Sequence, residues 1–307
     1  MNKKFFLIPL MVSLLFSCGE ATNTSNQVTT SEEDESKVDV IILAGQSNAE
    51  GNTFYQYLPI DVKTKYEQGF DNVLINYKLT GYSTNNSNNQ FIDVTLGQAN
   101  RLDRFGPEVG MAEKIQEKNF AKPTYIIKFA SGGTNLANQW ASPSSGLTGS
   151  VYNDFEAFVM EAISVLLDQD LTPSIKAFCW MQGESDSDGS KSLIYEKMEE
   201  YFFNDVNDLL SDYIDEQGMT FIDAGISNGK YPAGNNVWEY YERINNAKKN
   251  NQAKDPEHRI YIETNDYNLT TNQEPTYSID YYHYDAESMV KLGHLFADAI
   301  LDNNLLY

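Results

Sequence analysis

The chain has 307 residues, with 44 acidic against 22 basic side chains and a formal net charge of -22. Acidity on that scale argues against nucleic acid or another polyanion as partner, because phosphate binding needs clustered Lys and Arg. Three histidines and two cysteines leave little from which to build a metal site, and no metal or organic cofactor is expected.

In chain order, Met1 to Cys18 reads as an export signal. Lys3 and Lys4 precede the apolar run FFLIPLMVSLLF, which is too short to serve as a stop-transfer helix. The run closes on LFSC, a loose lipobox that makes Cys18 the lipidated N-terminus. The reading is a membrane-anchored lipoprotein of a bacterial envelope, periplasmic or surface-facing, touching the membrane only through its lipid. The alternative, an ordinary cleaved signal with an incidental cysteine, gives a secreted protein. Residues 19–37 carry an acidic run and almost no large apolar side chains, so they read as a flexible tether. Residues 38–307 are long enough for one sizeable α/β domain.

Within that domain, apolar strand-like runs at 38–45, 72–78, 123–130, 174–183, 219–226 and 259–264 alternate with helical patterns. The helical segments are 107–118, 151–169, 192–216, 237–250 and 285–302. Continuous rather than alternating apolar runs predict strands buried on both faces, hence a mostly parallel sheet between helices. Ligands of such sheets sit at the carboxyl ends of the strands. The unusual polar stretches all follow strands: GQSN after the first, SGGTN after the third and QGESD after the fourth, with DYYH just before the last helix. Cys179, inside the run AFCWM, reads as a buried thiol. The Asn-rich stretch 83–90 reads as a solvated surface loop.

A serine becomes a nucleophile when a base takes its proton and a third group orients the base. Ser47 sits at a strand-to-helix turn, and His283, in a polar aromatic loop, is the best-placed of the three histidines. His258 reads as a surface residue and His294 as a helical one. Asp280 lies three residues before His283, a spacing that lets a tight turn bring the carboxylate to Nδ1. For the developing oxyanion, the donors at hand are the Ser47 N–H, Gly132 or Gly133, and the Gln182 amide. Gln46 and Asn48 flank the serine as candidate substrate contacts. Trp140 and the tyrosines around His283, Tyr282 among them, are candidates for an apolar platform under a sugar ring.

AGQSNAEG, FGPEVGMA, IIKFASGGTNLANQW, WMQGESDSD and DYYH, in this order, resemble the successive blocks of the SGNH-hydrolase superfamily. The branch they resemble holds sialate O-acetylesterase-like proteins and the acetylxylan esterases of carbohydrate esterase family six. The resemblance implies a three-layer α/β/α sandwich, flavodoxin-like, with a mostly parallel central sheet. It implies Ser47 as nucleophile, His283 as base, Asp280 as its orienting carboxylate, and an oxyanion hole from the Ser47 amide, a glycine of SGGT and Gln182. Glu184 supports the site or competes with Asp280 for His283. Lys128, Thr134 and Glu108 belong to the surrounding packing. Many relatives carry histidine before QGE, where this chain has Met181. The activity implied is removal of acetyl groups from acetylated carbohydrate, whether polysaccharide, oligosaccharide or sialic acid. The rival readings are a carbohydrate-binding protein without activity and an esterase for a non-sugar, short-chain ester.

Overall fold

The computed structural model describes residues 35–81, 84–271, 274 and 279–307. The expected signal segment Met1–Cys18, its lipidation site Cys18 and most of the tether lie outside the described residues. Ser36–Tyr307 form one unit.

The chain runs β1 (Lys37–Gly45), α1 (Ser47–Glu50), β2 (Thr53–Phe54), α2 (Ile60–Glu67), β3 (Phe70–Leu79), β4 (Asn85–Asn86), β5 (Ile92–Val94) and β6 (Arg104–Phe105). It continues through α3 (Glu108–Gln116), β7 (Thr124–Ala130), α4 (Ser150–Leu167), β8 (Thr172–Met181) and α5 (Tyr195–Leu210). It closes with β9 (Thr220–Ala224), α6 (Tyr241–Lys254), β10 (Arg259–Ile262) and α7 (Ala286–Asp302). All six expected strands and all five expected helices form. The fifth-strand region ends earlier than expected, at Ala224, and the third helix stops at Leu210, where a 3-10 turn begins.

The sheet order is β10-β9-β8-β1-β7-β3-β4, with β5 also on β3. The pairings from β10 through β3 are parallel, and only β4 and β5 run antiparallel at the edge. Helices cover both faces, giving a three-layer α/β/α sandwich. Alternation along β7 and β8 sorts the two sides. Phe129, Phe178 and Trp180 meet Phe155 of α4 and Phe202 of α5, with Trp180 stacked on Phe202 at 4.6 Å. Lys128, next to Phe129, points to the other face, where α3 and α7 pack on each other, and bonds Glu108 of α3 at 2.7 Å. Both ends of that pair are fully buried. Its cost in desolvation is offset by the carbonyls of Glu50 and Gln98, which accept the remaining ammonium protons at 3.1 and 2.9 Å.

Cys179 is fully buried, and burial pushes its thiol well above the ordinary range. The stretch expected as a solvated loop differs. Asn85–Asn86 pairs with the end of β3, Asn85 donates to the Ala99 carbonyl at 2.8 Å, and Asn76 donates to Asn89 at 2.9 Å. Asparagine amides here take the bonding a backbone ladder would provide, which composition alone does not reveal.

Register positions the functional loops. Gly45, the last residue of β1, lies opposite Ala130 of β7 and Met181 of β8. The polar stretches that follow these three strands therefore begin side by side at one edge of the sheet.

Candidate active site

Gly45 allows the chain to turn sharply from β1 into α1. Its φ is +147°, and a Cβ there would lie 2.0 Å from the Met181 carbonyl oxygen. That approach is what permits the Gln46 N–H to donate to Met181 at 3.0 Å, locking the end of β1 to the end of β8. Ser47 then opens α1, so its N–H has no acceptor within the helix. The serine is almost buried, at 5% exposure.

His283 comes from the loop before α7. Asp285 caps that helix, accepting from the Ser288 N–H at 3.2 Å, and so anchors the loop at its exit. Asp280 folds the loop back on itself: one carboxylate oxygen accepts from the N–H groups of Tyr282 (2.9 Å) and His283 (3.1 Å). Its other oxygen lies 2.7 Å from His283 Nδ1. Burial pushes the Asp280 carboxyl up, but the imidazole and the two N–H donors outweigh it and hold it below its ordinary value. An ionised carboxylate only accepts, so Nδ1 carries a proton, and in the neutral ring the lone pair is on Nε2.

Asn48 joins the serine turn to the histidine loop. Its amide donates to the Tyr282 carbonyl at 3.3 Å and accepts from the Tyr284 N–H at 3.2 Å. The residues on both sides of His283 are thus bonded to the residue after Ser47. Thr53 adds a bond to the Tyr284 carbonyl at 2.7 Å. The Asn48 amide also donates to Glu184 Oε1 at 2.8 Å, while Glu184 Oε2 is buried without a hydrogen-bond partner. Burial raises the Glu184 carboxyl, and the Asn48 donor offsets this only in part. Glu184 bonds Asn48; the carboxylate bonded to His283 is that of Asp280.

The SGGT turn is held from below. Asp186 accepts from the N–H groups of Leu136 (2.8 Å) and Ala137 (3.1 Å) and from the Gln182 amide (2.5 Å). Burial raises the Asp186 carboxyl to about 6 against the pull of these donors. Thr134 donates to the Ser131 carbonyl and accepts from Trp140 Nε1 at 2.8 Å. Gly132 is half-buried, and Gly133, with φ at +74°, is exposed at the tip of the turn. Glu50 lies beneath it, raised by burial and drawn down by the N–H groups of Gly81 and Gly132.

Four expectations are corrected by burial. Gln182 is fully buried, its amide hydrogens directed at Asp186, at the Thr134 carbonyl (3.3 Å) and at Gln46 Oε1 (3.4 Å). It braces the floor of the site instead of facing an oxyanion. Gln46 is 1% exposed, its Oε1 accepting from the Ser185 N–H at 3.1 Å, and Asn48 is equally enclosed, so both amides are committed to bonds within the protein. Trp140 is fully buried between Phe129, Phe155, Trp180 and Phe202, so it is core and not a sugar platform. Tyr282 is 42% exposed beside His283. Burial and hydrogen bonding across the sheet edge decided these cases, and residue type alone does not distinguish a braced amide from a free one.

The other histidines stand elsewhere. His294 bonds Glu113 at 2.6 Å between α7 and α3. His258 borders a groove of about 700 Å³ at the amino ends of β9 and β10, the opposite edge of the sheet. Among the described residues no three His, Cys, Asp or Glu side chains converge as metal ligands. Asp186 and Asn48, the two braces, were legible in the sequence only as members of QGESD and GQSN.

Residues 37–302 match the family described as carbohydrate esterase, sialic acid-specific acetylesterase. No curated protein matches the chain by sequence. Among solved structures, a protein of Arabidopsis thaliana superposes with a TM-score of 0.61 at 18% identity, over 86% of this chain and 98% of its own. NanS gives a TM-score of 0.61 at 14% identity, over 87% and 97%. XAC1771, a carbohydrate acetylesterase from Xanthomonas citri, gives 0.54 at 14% identity, over 85% of this chain and 55% of its own. At these identities the likeness is one of fold.

Proposed function

The chain belongs to the sialic acid-specific acetylesterase family of carbohydrate esterases, and from that premise we propose an exported serine esterase that deacetylates carbohydrate through an acyl-enzyme on Ser47. His283 Nε2 takes the proton of the Ser47 hydroxyl as Oγ attacks the acetyl carbonyl. The N–H groups of Ser47 and Gly133 receive the oxyanion, the Gly132 N–H being bonded to Glu50. Collapse of the tetrahedral intermediate expels the sugar oxygen, which takes the proton from the imidazolium. Water, deprotonated by the same His283, then attacks the acetyl-serine, and acetate leaves with Ser47 restored. Asp280 holds Nδ1–H and stabilises the imidazolium between these transfers.

One observation carries the reading. The residues on either side of His283 are bonded to Asn48, next to Ser47, while Asp280 lies 2.7 Å from Nδ1 of the imidazole. A binding protein would have no use for an ionised carboxylate fixing the tautomer of a histidine whose loop is bonded to the residue after a serine at a helix start.

The test is acetate release from acetylated xylan, acetylated oligosaccharide and O-acetylated sialic acid by the full chain. Ser47→Ala and His283→Ala should each lower kcat by about 10³-fold or more while leaving thermal unfolding unchanged. A well-folded parent that releases no acetate from any of them would overturn the esterase reading. Release from simple esters alone would move the substrate off carbohydrate. The placement outside the cytoplasm rests on Met1–Cys18 alone. Metabolic labelling with a fatty acid should mark the parent and leave Cys18→Ala unmarked, and an unmarked parent would refute lipidation.

A further inference from the structure

Beside His283 stands a group of aromatics drawn from two distant parts of the chain. Tyr281 and Tyr282 belong to the histidine loop. Tyr231 and Trp238 belong to the connection between β9 and α6; Trp238 falls inside the helix expected over 237–250, which in the structure starts only at Tyr241. Tyr231 Oη lies 3.0 Å from Tyr282 Oη, and Trp238 packs on Tyr282 with ring centroids 5.4 Å apart. Tyr231 meets Tyr281 edge-on at 5.3 Å. Tyr282 in turn lies edge-on to the His283 imidazole at 6.5 Å. In spite of these contacts Tyr282 stays 42% exposed, and Tyr231 and Trp238 are half-buried.

The connection that carries Tyr231 and Trp238 is built to hold them still. Lys230 and Asn236 bridge antiparallel across a tight turn, and the N–H groups of Tyr231 and Val237 bond the carbonyls of Asn235 and Gly229 at 2.9 and 2.8 Å. Its start is tied to the next loop by Asn228 N–H to Asn265 at 2.9 Å. Its end is tied to the QGESD loop by Tyr240 N–H to Ser187 Oγ at 2.8 Å. A rigid rim of aromatic rings left open to water next to the base is unfavourable for a bare surface, and it fits a ligand with an apolar face and polar edges. The aliphatic C–H face of a pyranose, edged by hydroxyls, has that character.

We propose that Tyr231, Trp238 and Tyr282 form the subsite for the sugar ring whose ester is cleaved, so that selectivity for carbohydrate over simple acetates resides in the β9–α6 connection. This rests on the esterase reading above, since it places the ring by its acetyl carbon at Ser47. The rings contact the leaving group and not the acetyl, so they act on sugar esters alone.

The experiment compares an O-acetylated methyl pyranoside with ethyl acetate, both hydrolysed by the full chain. Trp238→Ala and Tyr231→Ala should each lower kcat/KM for the pyranoside about tenfold, mainly through KM, and leave ethyl acetate within about twofold, since loss of one ring contact is worth roughly 1.4 kcal/mol. Equal losses on both esters, or no loss on the pyranoside, would overturn the subsite. A parent with no preference for the pyranoside would overturn it as well. Because Trp238 packs against the core, a second readout avoids its removal. Trp140 and Trp180 are fully buried, so a change in tryptophan emission when the Ser47→Ala protein is titrated with the pyranoside reports Trp238. Saturable change supports the subsite, and a flat titration refutes it. Failure of the esterase reading looks different: ethyl acetate would then be hydrolysed equally by the parent and by Ser47→Ala.

Discussion

Asn48→Ala tests the geometry most directly, because the side chain that it removes is buried and bonded within the protein. The change deletes the bonds to Glu184 (2.8 Å), to the Tyr282 carbonyl (3.3 Å) and from the Tyr284 N–H (3.2 Å). Asn48 is 1% exposed, so water does not readily replace them. Two neutral bonds at about 1 kcal/mol each, and one to a carboxylate at about 1.5 kcal/mol or more, predict a loss of roughly 3–4 kcal/mol. The bond to Glu184 is the largest single share, since the other oxygen of that carboxyl already has no partner. For a domain of this size each kcal/mol moves Tm by about 2–3 °C, so the fall should be roughly 6–12 °C. The same loss frees the backbone on both sides of His283, and a misplacement on the order of 1 Å should lower kcat about 10²-fold. Calorimetric unfolding and acetate-release kinetics on the same preparation measure both. A variant melting within about 2 °C of the parent, or keeping more than half its kcat, would refute the idea that Asn48 couples Ser47 to the histidine loop.

Three further outcomes follow from the same geometry. Asp280→Asn keeps the shape but loses the acceptor that fixes Nδ1–H, so kcat should fall about 10³–10⁴-fold. Because the Asp280 carboxyl is held below its ordinary value, its stabilising contribution is present above the usual carboxylate range and fades as pH falls through the lowered value; the parent's stability advantage over Asp280→Asn should shrink in acid. Glu184 has the opposite sign: burial raises its carboxyl, so its ionisation costs stability as pH climbs from the ordinary value through the raised one. Glu184→Gln, which still accepts from Asn48, should therefore melt higher than the parent at pH 8 and equally at pH 4, with activity reduced far less than by Asp280→Asn; a loss matching Asp280→Asn would exchange the two roles. His294→Ala removes the Glu113 partner between α3 and α7, where bonds from His294, Lys65 and Tyr66 outweigh burial and hold the Glu113 carboxyl at about 2. It should lower Tm by a few degrees and leave kcat within about twofold; inactivation would make His294 the base.

Reading apolar runs located the sheet strands within a few residues because buried parallel strands must be continuous in apolar side chains, a local property of the sequence. The edge pieces β4 and β5 and the helix α2 escaped. Asn85 and Asn86 have no strand propensity, and α2, polar over most of its length, is held by partners such as Glu113 on α3, which bonds Lys65 and Tyr66. Among the site residues, Ser47, Asp280 and His283 stood out because they occupy loops that follow or precede regular elements. The roles of Gln182, Gln46, Asn48 and Trp140 were misjudged because polar and aromatic types look alike in sequence whether they face water or lie under a turn.

The sequence by itself determined which segments are strands and helices, that three polar turns follow three strands, and that a D-x-x-H pair precedes the last helix. Those are short-range facts, written in periodicity and spacing. Only the tertiary structure decided which side chains face the cleft. That Asn48 grips both neighbours of His283, that Gln182 spends its amide on Asp186, and that Tyr231 and Trp238 reach Tyr282 all depend on contacts across the sheet edge. Burial and pairing between residues far apart in the chain set these contacts, and no local pattern encodes them.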